Sequence, residues 1–117
     1  MTSALYELHK RRIIHRDLKT ANVFITEDLR SIKLGDMNVS KIVKNIFAHT
    51  QTGTPYYASP EVWRDEPYNI KTDIWSLGCV LYEMCMLRPP FKAIDMNDLY
   101  KKVQKCKIQP FDKFYSN

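Results

Sequence analysis

The sequence predicts an α+β fold, mainly helical, with one short β-hairpin. Apolar residues recur at helical spacing in two separated segments, at Ala4, Leu5 and Leu8 and again at Met96, Leu99 and Val103. A stretch over 71–87 is apolar on nearly every side, the pattern of a helix enclosed by other structure. Between these segments lie two short runs of strand formers, 22–25 and 32–34, joined by a mostly polar stretch.

In chain order, Thr2 to Lys10 reads as the last turns of a helix that ends in the basic run Lys10-Arg11-Arg12. Ile13 and Ile14 lead into a loop at 15–22. Asn22-Val23-Phe24-Ile25 and Ile32-Lys33-Leu34 then pair as the hairpin, with 26–31 as its turn, so Asn22 and Asp36 fall at neighbouring strand ends. Residues 39–58 show weak periodicity and many Ser, Thr, Asn and Lys side chains, as a surface loop does. The helix over 71–87 carries Ile74, Trp75, Leu77, Val80, Leu81, Met84 and Cys85 and is expected to be buried. Arg88-Pro89-Pro90-Phe91 stops it, because proline cannot continue the backbone ladder. Asp95 caps a following helix over 96–105, whose lysines 101, 102 and 105 face largely outward. The tail from Cys106 to Asn117 has a proline and no period, and reads as loop.

With 117 residues and 44% hydrophobic content, the chain suits one hydrophobic core rather than two. The net charge of +5 is spread over basic residues interleaved with acids, which describes a solvated surface better than a nucleic-acid interface. Three cysteines without a Cys-x-x-Cys pair argue against a disulfide framework and a zinc site, and predict reduced, packed thiols. No segment approaches the ~18 consecutive apolar residues of a membrane span, and 1–10 lacks a signal-peptide core. The expectation is a soluble intracellular protein that binds neither nucleic acid nor membrane.

The most informative run is His15-Arg16-Asp17-Leu18-Lys19-Thr20-Ala21-Asn22, which sets a carboxylate, a cation and an amide at spacings suited to phosphoryl transfer. Three motifs follow it in order: Leu34-Gly35-Asp36-Met37-Asn38, then Gly53-Thr54-Pro55-Tyr56-Tyr57-Ala58-Ser59-Pro60-Glu61, then Asp73-Ile74-Trp75-Ser76-Leu77-Gly78. Together they resemble the eukaryotic protein kinases, and the wording of 53–61 is most similar to the NIMA-related serine/threonine kinases. The resemblance implies a partial kinase domain, a C-terminal-lobe fragment. Its parts are a catalytic loop at 15–22, a metal motif at 36–38, an activation loop at 39–58, the buried helix and the helix after it. The amino-terminal lobe is expected to be absent: with glycine only at positions 35, 53 and 78, no glycine-rich phosphate loop can be assembled.

By that resemblance Asp17 accepts the proton of a substrate serine or threonine, Lys19 steadies the transferred phosphoryl group, and Thr54 bonds both. Asn22 and Asp36 hold magnesium, an ion that favours oxygen ligands, and Phe24 lies beneath the adenine of ATP. Core packing is the plainer expectation for a strand phenylalanine, and the two are compatible. Met37 and Asn38 depart from the family's Asp-Phe-Gly. Asn38 replaces a glycine, and asparagine is among the least costly residues at positive φ. Arg16 and Lys41 would receive a phosphate on Thr50, or secondarily Thr52, added by an upstream kinase or by autophosphorylation. His15 packs in the core, Asp73 receives backbone amides of the catalytic loop, and Glu61 enters a buried ion pair with an arginine beyond 117.

The function implied is transfer of the ATP γ-phosphoryl group to serine or threonine of protein substrates, in a cytoplasmic or cytoskeleton-associated protein. The isolated chain is expected to be inactive or very weak. The alternative is a non-catalytic kinase fragment acting as a binding or decoy module. A small-molecule phosphotransferase with a related loop would not need a peptide-docking segment like 53–61.

Overall fold

The computed structural model describes residues 1–36 and 55–111. In chain order these form helix α1 (Thr2–Lys10), a 3-10 turn (Thr20–Asn22), strands β1 (Val23–Ile25) and β2 (Ile32–Leu34), and helices α2 (Pro60–Trp63), α3 (Lys71–Met86) and α4 (Met96–Gln104). The expected α+β architecture is present, with a two-stranded antiparallel sheet in the register Val23↔Leu34, Phe24↔Lys33 and Ile25↔Ile32.

The hairpin closes at both ends. At the turn, the Thr26 amide donates to the Ser31 carbonyl at 2.9 Å, and the Asp28 carboxylate accepts from the Thr26 hydroxyl and the Arg30 amide. At the open end, the Gly35 amide donates to the Asn22 carbonyl at 2.9 Å, which brings the backbone of the 15–22 loop beside the residue preceding Asp36.

Helix α3 is the central element, and two apolar clusters form along it. Leu77 and Val80 pack with Leu5 of α1 and Leu18 of the 15–22 loop. Cys79 packs with Phe91 and with Leu99 and Val103 of α4. Tyr57 touches both clusters. Helix α4 begins as its sequence predicts: the Asp95 carboxylate accepts from the Asp98 amide at 2.8 Å, satisfying one of the first-turn donors.

The uniformly buried helix over 71–87 needs correction. Ile74, Leu81 and Met84 are each about half exposed, whereas Thr72, Asp73 and Ser76 are buried. The enclosed side of α3 is therefore partly polar, because it supports loops whose backbone groups need partners. The helix also ends before the prolines, at Met86, with Leu87 in the left-handed region at φ 52° and its amide on the Glu83 carbonyl. The four-residue α2 has no period to betray it; proline at its first position and Ser59 before it are its only signals. Glu61 in α2 is half-buried. The cysteines form no disulfide among the described residues and are not all packed: Cys79 is buried, with burial pushing its thiol up to about 12, and Cys106 is exposed. Among the described residues no helix is long and apolar enough to cross a membrane.

Candidate active site

The loop His15–Asn22 has little regular structure, so its backbone donors need partners from elsewhere. Asp73, in the first turn of α3, supplies two. Its carboxylate, 1% exposed, accepts from the His15 amide at 2.8 Å and the Arg16 amide at 2.9 Å. Nε2 of His9, from α1, meets the same carboxylate at 2.7 Å. One side chain thus joins α1, α3 and the loop, and the expectation that Asp73 receives loop amides holds in the geometry. Arg16 sits at φ 68°, a costly angle for a non-glycine residue, held here by the bond from its own amide to Asp73. The His15 ring is 1% exposed and neither nitrogen has a hydrogen-bond partner among the described residues, so the imidazole acts as packing.

Held this way, the loop turns its polar side chains toward Asp17. Lys19 Nζ donates to Asp17 Oδ2 at 2.9 Å. The 3-10 turn folds Asn22 back, and its Nδ2 donates to the Asp17 carbonyl at 2.8 Å and to Oδ2 at 3.1 Å. Asn22 is 6% exposed, whereas the Asp17 side chain keeps 25% of its surface. The result is a carboxylate of fixed orientation, open on one side, with a cation and an amide on one oxygen. Such a group can take a proton from a hydroxyl while the cation offsets developing negative charge.

Asp36 follows the hairpin at φ 52°. The side chain before it is absent for a reason: a Cβ on Gly35 would lie 2.5 Å from Cε2 of Phe24. Phe24 thus covers Gly35 on one side, but it is 55% exposed, which corrects the expectation of core packing. Asn38, where an unusual backbone angle is expected, lies outside the described residues. Met37, Lys41, Thr50, Thr52 and Thr54 lie outside them too, so the structure describes no neighbour for these residues. Arg16 is exposed, with its guanidinium 5.7 Å above the ring of Tyr68.

Two residues that matter here escaped the sequence reading. Tyr57 reaches from the middle of the 53–61 motif to the 15–22 loop. Its hydroxyl donates to the Glu83 carboxylate of α3 and pairs with the Thr20 hydroxyl at 2.9 Å, while its carbonyl accepts from Ser76 at 2.8 Å. Burial, with the Glu83 carboxylate beside it, raises the Tyr57 phenol above its ordinary range. His9, 64 positions from Asp73, carries no local signal of its pairing. The buried contact between the Ser59 and Thr72 hydroxyls, at 2.6 Å, adds a further link between the 53–61 segment and α3.

The protein kinase domain model matches residues 1–116. The chain is 47% identical over 111 residues to the serine/threonine-protein kinase Nek3 of Mus musculus, covering 93% of this chain and 22% of that protein. It is 47% identical over 115 residues to Nek4 of the same species, covering 97% and 14%. It is 50% identical over 105 residues to the G2-specific protein kinase nim-1 of Neurospora crassa, covering 89% and 12%. The chain therefore spans less than a quarter of the length of these relatives. The loop built around Asp17, the hairpin that follows it and α3 beneath it are parts of a protein kinase domain, and the chain belongs to that family, with NIMA-related serine/threonine kinases as its relatives.

Proposed function

We propose that this chain carries the hydroxyl-activating and metal-binding half of a serine/threonine protein kinase site, within the C-terminal lobe of the domain. The observation that supports it most is the convergence of Lys19 and Asn22 on one oxygen of Asp17. Asp17 orients a substrate serine or threonine hydroxyl and receives its proton; Lys19 offsets charge on the phosphoryl group in transfer. Thr54 bonds the Asp17–Lys19 pair when substrate is present. The protein substrate lies along 53–61.

Asn22 and Asp36 are the residues that would hold magnesium. Their donor chemistry fits: the Asn22 amide nitrogen is engaged by Asp17, which leaves its carbonyl oxygen as the acceptor, and Asp36 adds a carboxylate. Among the described residues no group of three or more His, Cys, Asp or Glu side chains gathers as a metal cluster, so this assignment rests on that pair. Magnesium, when bound, neutralises charge on the ATP phosphates. The exposed ring of Phe24 is a flat apolar surface of the kind an adenine covers. Thr50, with Thr52 second, is the regulatory phosphate acceptor, and Arg16 and Lys41 are its cationic partners. The setting is cytoplasmic or cytoskeletal.

Phosphoryl transfer to a generic protein substrate by the longer protein tests this reading. Asp17→Asn should lower turnover by about 10²–10⁴, the range for loss of a positioned acid or base, while ATP affinity stays within about twofold. Asp36→Asn should raise the magnesium concentration needed for half-maximal turnover. Unchanged turnover in Asp17→Asn would overturn the assignment. Thr50→Ala should remove activation; unchanged activity there would sink the regulatory part alone.

A further inference from the structure

Arg16, the residue before Asp17, is gripped at two points by one short segment, 68–73, which leads into α3 and forms its first turn. Its backbone amide donates to the Asp73 carboxylate at 2.9 Å. Its side chain meets Tyr68, with the guanidinium carbon 5.7 Å from the centre of the ring, within reach of a cation–π attraction. The two cations of the 15–22 run are thus divided between two places. Lys19 Nζ is on the Asp17 carboxylate at 2.9 Å, whereas Arg16 lies over the half-buried Tyr68.

Local backbone structure sets the spacing of the two grips. Asn69 closes a turn between them: its side-chain carbonyl accepts from the Lys71 amide at 2.9 Å, and its main-chain carbonyl accepts from the Thr72 amide at 3.1 Å. The far end of that turn is anchored, because Thr72 and Asp73 are buried and the Thr72 hydroxyl is paired with that of Ser59. Tyr68 therefore stands on a held turn. A long arginine side chain loses rotamer freedom when it receives an anion, and a ring that has already narrowed its conformations removes part of that cost.

We propose that Tyr68 is a positioning residue for Arg16, its ring holding the guanidinium ready for the regulatory phosphate. This rests on the reading of Arg16 as a partner of that phosphate, and adds the device that aims it. The face of the ring carries the effect rather than its hydroxyl: a guanidinium is drawn to the negative π surface while its N–H groups keep their fork for an oxyanion. At a partly exposed site the attraction amounts to about a two- to fivefold bias. That is enough to favour one arrangement of a side chain and too little to hold a fold. The competing explanation is plain packing of Tyr68 against the aliphatic stem of Arg16, which leucine would supply equally well.

Kinase assays of the longer protein, before and after phosphatase treatment, separate the two. The wild type should lose turnover on dephosphorylation. The ratio of the two rates should be about two- to fivefold smaller in Tyr68→Leu and unchanged in Tyr68→Phe, which keeps the π face. Because Tyr68→Leu also alters the start of α3, thermal denaturation of the dephosphorylated protein supplies a second measurement, with Tyr68→Leu, Arg16→Met and the two combined. The combined loss in melting temperature should be smaller than the sum of the single losses, since each single change removes the same contact. A full activation ratio in Tyr68→Leu, a ratio in Tyr68→Phe as low as in Tyr68→Leu, or strictly additive losses would each overturn the proposal. A wild type indifferent to phosphatase would overturn the regulatory reading and the proposal together, a result distinct from a phosphatase-sensitive wild type matched by Tyr68→Leu.

Discussion

The 15–22 loop and the β-hairpin that follows it stand in contrast. The loop has almost no regular structure, yet His15, Leu18 and Asn22 are buried and its amides end on a carboxylate more than fifty positions away. The hairpin is regular, with a defined register, yet Phe24, Ile25 and Ile32 are each 43% exposed or more. Regular hydrogen bonding does not make a segment well anchored. What fixes the loop is polar contact with α3, and this is why a buried face of α3 carries Thr72, Asp73 and Ser76 instead of leucines.

Changes that strip the loop of its external partners should therefore cost far more than changes to the hairpin. Asp73→Ala should have the largest effect, a stability loss of roughly 3–5 kcal/mol, because it removes one partner of a buried, hydrogen-bonded charge. Urea denaturation measures it; a loss under about 1 kcal/mol would mean that the loop is held by packing alone. Tyr57→Phe comes next. It leaves the rings packed but removes the hydroxyl between Thr20 and Glu83, at a cost of ~1–3 kcal/mol if those groups stay dry.

That tyrosine also gives the contrast a pH signature. Its phenol is raised in the folded chain above the ordinary value of 10.0, so the folded state holds its proton longer than the unfolded state. Its contribution is complete below pH 10.0 and is lost as pH rises through the raised value. Stability should fall more steeply on the alkaline side in the wild type than in Tyr57→Phe, as thermal melts across pH 9–11 would show. Parallel slopes would remove Tyr57 from the anchoring. The smallest effect should come from Ile25→Thr on the exposed hairpin, within about 0.5 kcal/mol.

The same contrast explains what was legible in the sequence. Local pattern carries the hairpin, in two runs of strand formers, and α4, in its period and its Asp95 cap. What failed depends on distance. The period of α3 shows that Ile74, Leu81 and Met84 are apolar, but not that nothing among the described residues covers them. His9 and Asp73 are 64 positions apart, and Tyr57 and Glu83 are 26 apart, so their pairing has no trace in local pattern. Phe24 was misjudged because a phenylalanine in a strand of three residues does not reveal which face is filled; Gly35, pressed under its ring, was the one hint.

Hydrogen exchange at the His15 and Arg16 amides decides whether the loop that presents Asp17 is held from outside itself. In the wild type both amides should be protected, in Ile25→Thr they should stay so, and in Asp73→Asn their protection should fall sharply while α4 amides keep theirs. Fast exchange of both amides in the wild type, or unchanged protection in Asp73→Asn, would contradict it.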